Sequence, residues 1–118
     1  MTVSDSEQLV EKIVRLAQER KAVDLIAMDV RGLSPVTDFF IIATGTVDIH
    51  LKAIAENVIG ELKSEGIVPL NIEGMDNLRW VLMDFVDVVF HLFLPEARDF
   101  YAIERLWGEA ELKRYDEV

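Results

Sequence analysis

A single mixed α/β domain is the fold class the sequence predicts, with about five strands in one sheet and helices packed mainly on one side of it. Three patterns predict it. Apolar residues recur at helical spacing in two stretches, a continuous apolar run lies between them, and two short β-type runs flank a turn near residue 85.

The first stretch carries Leu9, Val10, Ile13, Val14, Leu16 and Ala17 at helical spacing, with Ser4 and Glu7 spaced as a capping box before it. Residues 23–30 follow as a strand in which Leu25, Ala27 and Asp29 share a face, and Gly32 to Pro35 is rich in turn formers. Phe39 to Thr44 is apolar throughout, the pattern of a strand covered on both faces. The link between these two strands is too short for a helical crossover, so they are expected to run antiparallel. Gly45-Thr46-Val47-Asp48 then opens a second helix with Asp48 as N-cap, a stripe from Leu51 to Leu62, and Gly66 as its stop. Short strands are expected at 69–72, 79–83 and 88–94, the last two joined through Asp84-Phe85-Val86-Asp87. Pro95 starts a third helix with Phe100, Ile103 and Trp107 along its buried side. One domain over residues 1–108 and a charged, mobile tail over 109–118 complete the reading.

Composition narrows the function classes. The chain has 118 residues, is 51% hydrophobic, has no cysteine, and carries 22 acidic against 12 basic residues for a net charge of −10. A chain of this size buries a core without staples. Without cysteine there is no disulfide, thiolate zinc site or cysteine nucleophile, and a reducing compartment fits. The first residues lack a basic flank and an apolar core, and the longest apolar runs are too short for a bilayer, so a cytoplasmic location is expected. Phosphate neutralisation needs clustered Lys and Arg, so nucleic acid and anionic membrane are disfavoured while a basic protein partner is favoured. Acidity that serves only solubility is the plainer reading.

Little in the sequence suggests a reaction. His50 and His91 stand on separate elements, which gives neither a triad nor a metal-ligand pair. His50 reads as a surface residue and His91 as a part-buried or interface one. Glu73, Asp84 and Asp87 with Gly45-Thr46 at a helix start suggest a magnesium-dependent nucleotidyltransferase or a nucleotide-binding layout. No Lys or Arg stands beside Gly45-Thr46, however, and turn stabilisation explains the aspartates equally. No catalytic, cofactor or metal residue is therefore assigned. Trp80, Leu82 and Asp84 share one strand face. Periodicity leaves them open between core and docking surface; with an open sheet face, Trp80 and Leu82 ringed by Asp84, Asp87 and His91 have the make-up of an interface hot spot.

Three blocks also resemble the Iojap, or RsfS, ribosomal silencing factor family. They are Phe39 to Gly45 with Ala53-Ile54-Ala55-Glu56; Glu73-Gly74, Trp80 to Asp84, Asp87-Val88-Val89 and His91-Leu92-Phe93; and Pro95-Glu96, Arg98, Phe100-Tyr101, Ile103-Glu104 and Leu106-Trp107, together spanning about residues 7 to 108. The resemblance implies a nucleotidyltransferase-like fold without the catalytic set. It implies binding to the large ribosomal subunit through its L-fourteen protein, a steric block to small-subunit joining, and frequent self-association as a homodimer. An assembly role on the large subunit needs the same contact. The partner-binding residues implied by the resemblance and the face pattern together are Glu73, Trp80, Leu82, Asp84, Asp87 and His91. The chain departs from the family at Val86, where glycine is usual, and at Ile49, where arginine is more common. Valine disfavours positive φ, so this turn is expected to change type or shift register.

Overall fold

A computed structural model describes residues 5–115 of the chain. The elements run α1 (Asp5–Glu19), β1 (Val23–Asp29), β2 (Phe39–Thr44), α2 (Asp48–Ser64), β3 (Asn71–Glu73), β4 (Trp80–Asp84), β5 (Val88–Phe93), α3 (Pro95–Tyr101), a 3-10 turn (Ile103–Trp107) and β6 (Glu111–Tyr115). The strands form one sheet in the order β3-β4-β5-β2-β1-β6, antiparallel except where β2 meets β5. The short β1–β2 link gives the expected antiparallel pair. The path through α2 lets β5 return parallel to β2.

The sheet is covered unequally. The apolar stripes of α1 and α2 pack on one face, where Ile13, Leu51, Ile54, Val58, Val81 and Phe90 are fully buried. On the other face Ile26, Met28, Ile42 and Phe93 form a smaller core under Ala97 of α3 and Ile103 and Trp107 of the 3-10 turn. Phe39 to Thr44 is thus covered on both sides, because β2 lies between the two cores. The short lid reaches β1, β2 and β5 but leaves much of β3 and β4 open.

Several expectations need correction. The sheet has six strands, the sixth being Glu111–Tyr115, which the sequence reading placed in a mobile tail. It pairs with β1 from Leu25↔Tyr115 to Asp29↔Glu111, and the Tyr115 hydroxyl donates to Glu11 Oε1 on α1 at 3.3 Å. The physical reason is in β1. Both of its faces are apolar, so its hydrogen-bonding edge would be a liability if left unpaired. The third helix is also shorter than expected. Ala102 at φ 45° ends it, the chain continues as a 3-10 turn, and Phe100 points outward at 79% exposure while Ile103 and Trp107 reach the core. Asp48 is not the cap of α2. Val47 holds that position, and Asp48 Oδ1 accepts the neighbouring Ile49 N–H at 2.8 Å. Gly66 does stop the helix, in left-handed conformation, with Gly66 N–H on the Lys63 carbonyl and Ile67 N–H on that of Leu62. Ser4 of the expected capping box, and residues 116–118 of the tail, lie outside the described residues.

Candidate functional site

β4 alternates strictly. Val81 and Met83 are fully buried under α1 and α2, whereas Trp80, Leu82 and Asp84 point to the other face and are half-buried. Register extends that face across neighbours: Leu82 lies between Glu73 and His91, Asp84 between Asn71 and Val89, and Trp80 opposite Phe93. Five of the six residues expected at a docking site, Glu73, Trp80, Leu82, Asp84 and His91, therefore share one sheet face. Asp87 sits in the β4–β5 turn instead. Its carbonyl accepts the Asp38 and Phe39 N–H groups at 2.9 and 3.1 Å, which anchors the turn to the start of β2.

Trp80 is held from several sides. Its ring stacks on Phe93 with centroids 5.0 Å apart, and Tyr101 of α3 lies against it at 4.6 Å. The indole N–H donates to His91 Nδ1 at 3.1 Å. Because Nδ1 accepts, neutral His91 carries its proton on Nε2, which is buried without a hydrogen-bond partner among the described residues. Burial lowers the His91 pKa from 6.5 to about 4, so the ring is neutral near pH 7. At 6% exposure His91 offers little surface to a partner; what it does is fix the indole. Tyr101 is a member of the site that strand periodicity missed, since it arrives from another element. Its only sequence signal is its place in the Phe100-Tyr101 pair.

The ends of β4 are built tightly. Gly74 has φ +89°, and a Cβ there would collide with the Trp80 carbonyl, so only glycine allows the β3–β4 loop to close over the strand. At the other end Val86 adopts a positive φ of 75°. Phe85 N–H donates to the Val88 carbonyl at 2.8 Å and Asp87 N–H to that of Phe85 at 3.0 Å, a strained γ-turn centred on Val86. Asp84 Oδ1 accepts the Val86 N–H at 2.8 Å and supports this turn. Glu73 Oε2 accepts from Asn71 Nδ2 at 2.8 Å and is exposed.

The nucleotidyl-transfer layout does not assemble. Phe39 aligns with Val88 and Thr44 with Phe93, so the Asp84–Asp87 turn lies at the start of β2 and Gly45-Thr46 at its end, roughly 17 Å away. Gly45 is explained by packing, because a Cβ would stand 2.9 Å from the Leu51 backbone. The Thr46 N–H is already used by His50 Nδ1 at 2.9 Å, while His50 Nε2 bonds the Arg20 carbonyl at 2.8 Å. Arg98, 9% exposed, occupies the neighbouring space by donating to Thr44 Oγ1 at 2.8 Å and the Asp24 carbonyl at 2.6 Å. Among the described residues no three His, Cys, Asp or Glu side chains group as metal ligands. What the site offers is a half-open aromatic and aliphatic surface with carboxylates beside it.

Comparison with known proteins places this architecture. The family model described as "Ribosomal silencing factor during starvation" matches residues 3–118. The chain is 40% identical over 98 residues to the ribosomal silencing factor RsfS of Bacillus subtilis, covering 83% of each. It is 34% identical over 101 residues to the mouse "Mitochondrial assembly of ribosomal large subunit protein 1", covering 83% of this chain and 44% of that one. A crystal structure of a Chromobacterium violaceum protein superposes with a TM-score of 0.85 at 34% identity, covering 89% of this chain and 88% of that one. The chain belongs to the ribosomal silencing factor family, RsfS, to which the Trp80 strand and the three sequence blocks had pointed.

Proposed function

We propose that this chain is a non-catalytic silencing factor that binds the large ribosomal subunit through its L-fourteen protein, stands in the way of the small subunit, and so lowers translation in the cytoplasm. The observation that carries the reading is the open sheet face around Trp80 and Leu82, with Glu73 and Asp84 beside it, on a chain of net charge −10. A ribosomal protein that binds RNA is basic, and an acidic surface orients and speeds its encounter. Leu82 and the free edge of Trp80 supply apolar area at the centre of the contact. Occupancy alone performs the task, so no reacting group is needed.

The test is co-sedimentation of the purified chain with large subunits, small subunits and a mixture on a sucrose gradient. Binding to large subunits only, with fewer joined particles, is the expected result. Trp80→Ala weakens that binding by ~2 kcal/mol or more, and Leu82→Ala by a smaller amount. Unchanged co-sedimentation of both variants, with their melting temperatures preserved, refutes the site. An assembly role on the large subunit is favoured by the name of the mouse relative, and it predicts immature large subunits when the chain is depleted. Self-association through the same face would compete with the ribosome and is read from the oligomeric state of the Trp80 variant. Calorimetric titration with Mg-ATP and Mg-GTP is expected to give no heat; saturable binding would revive the nucleotide reading.

A further inference from the structure

Phe100 has no folding role that accounts for its position. It is 79% exposed, and its ring contact is an edge-on approach to Tyr101, with centroids 5.0 Å apart and planes at 90°. Tyr101 is itself 47% exposed and lies 4.6 Å from Trp80. The three rings therefore form one continuous aromatic ridge that leaves the sheet and climbs onto α3. A lone exposed apolar residue needs no explanation, but one joined through a second ring to a half-open tryptophan is part of a patch.

We infer that the footprint of the basic partner extends from the sheet onto α3, with Phe100 as a second apolar anchor; this rests on the docking reading given above. Charge decides between that occupant and a second copy of the chain. Glu96 and Asp99 are exposed on α3, Arg98 is turned inward onto Thr44 and Glu104, and Arg105 is the other base in residues 95–107. Two copies meeting through α3 would bring these carboxylates toward one another, whereas a lysine- and arginine-rich surface would be complementary to them.

The experiment measures equilibrium binding of the labelled full chain to purified large subunits for the wild type, Phe100→Ser, Trp80→Ala and Ile49→Ser. Ile49 serves as a control, being 78% exposed on α2, which packs on the opposite face of the sheet. Light scattering records the oligomeric state of each variant, and melting confirms the fold. Phe100→Ser is expected to weaken binding about tenfold with melting and oligomeric state unchanged, while Ile49→Ser binds as the wild type. If Phe100→Ser binds normally while Trp80→Ala fails, the footprint stops at the sheet and this inference alone falls. If Phe100→Ser alters the oligomeric state but not subunit affinity, the occupant is a second copy and the inference is overturned. A wild-type chain that does not bind large subunits removes the docking reading itself.

Discussion

His91 shows how one buried side chain couples stability to the sheet face proposed for docking. Its folded pKa of about 4 lies below the 6.5 of an unperturbed histidine, so between those values the unfolded chain holds the extra proton. The contribution is intact above about pH 6.5 and is lost as pH falls toward 4, by up to ~3 kcal/mol. His91→Gln keeps a hydrogen-bond acceptor for the Trp80 indole but removes this titration. Urea unfolding at pH 7 and 4.5 is expected to show a steeper acid loss in the wild type than in the variant. Equal losses would mean that the carboxylates alone set the acid limit. Val86 presents the opposite case, a residue whose cost is in the backbone. A β-branched side chain at φ 75° is strained, so Val86→Gly is expected to raise stability by ~1 kcal/mol despite the added freedom of the unfolded chain. A higher urea midpoint with unchanged subunit binding checks it; a lower midpoint would show that valine packing outweighs the strain.

Among the elements, β6 was the least legible and has a clear structural task. Its side chains are largely exposed, so neither hydrophobic periodicity nor composition distinguishes Glu111–Tyr115 from a solvated tail. The available signal lay in its partner: residues 25–28 of β1 are apolar on both faces, which an edge strand avoids. A chain ending at Gly108 is expected to lose ~2 kcal/mol or more, from the missing ladder bonds. It should also scatter light at concentrations where the full chain does not. An identical urea midpoint would show that β1 tolerates an open edge. The α3 break at Ala102 was equally hidden, because an alanine carries no sequence mark of left-handed backbone. That single angle redirects the chain after α3, so that Ile103 and Trp107 pack on the cluster that holds Ile42 and Met28 while Phe100, within α3, stays exposed.

On the scale of the whole molecule, the governing feature is the division of labour between sheet faces. α1 and α2 cover one face and bury the larger core, while the partial lid on the other leaves the surface beside Trp80 half-open, where the proposed partner would dock. With carboxylates flanking that opening, association should depend on ionic strength more than dissociation does. Raising salt from about 50 to 300 mM is expected to slow association with large subunits about tenfold while changing dissociation little. A salt-insensitive association rate would argue that the acidic rim does not steer the encounter.

The sequence by itself determined the α/β class, the two long helices, the alternation of β4 and the acidic character of the surface, since each follows from local periodicity or from counting. It also marked Trp80, Leu82 and Asp84 as a unit, because a strand puts alternate residues on one side whatever surrounds it. Only the tertiary structure decided whether that side was core or surface, since burial depends on how far α3 and the 3-10 turn reach across the sheet. It likewise showed His91 as the acceptor that fixes Trp80, and placed Asp87 in the turn away from its expected companions. Those outcomes arise from pairings across strands and from a helix distant in sequence, which no local pattern records.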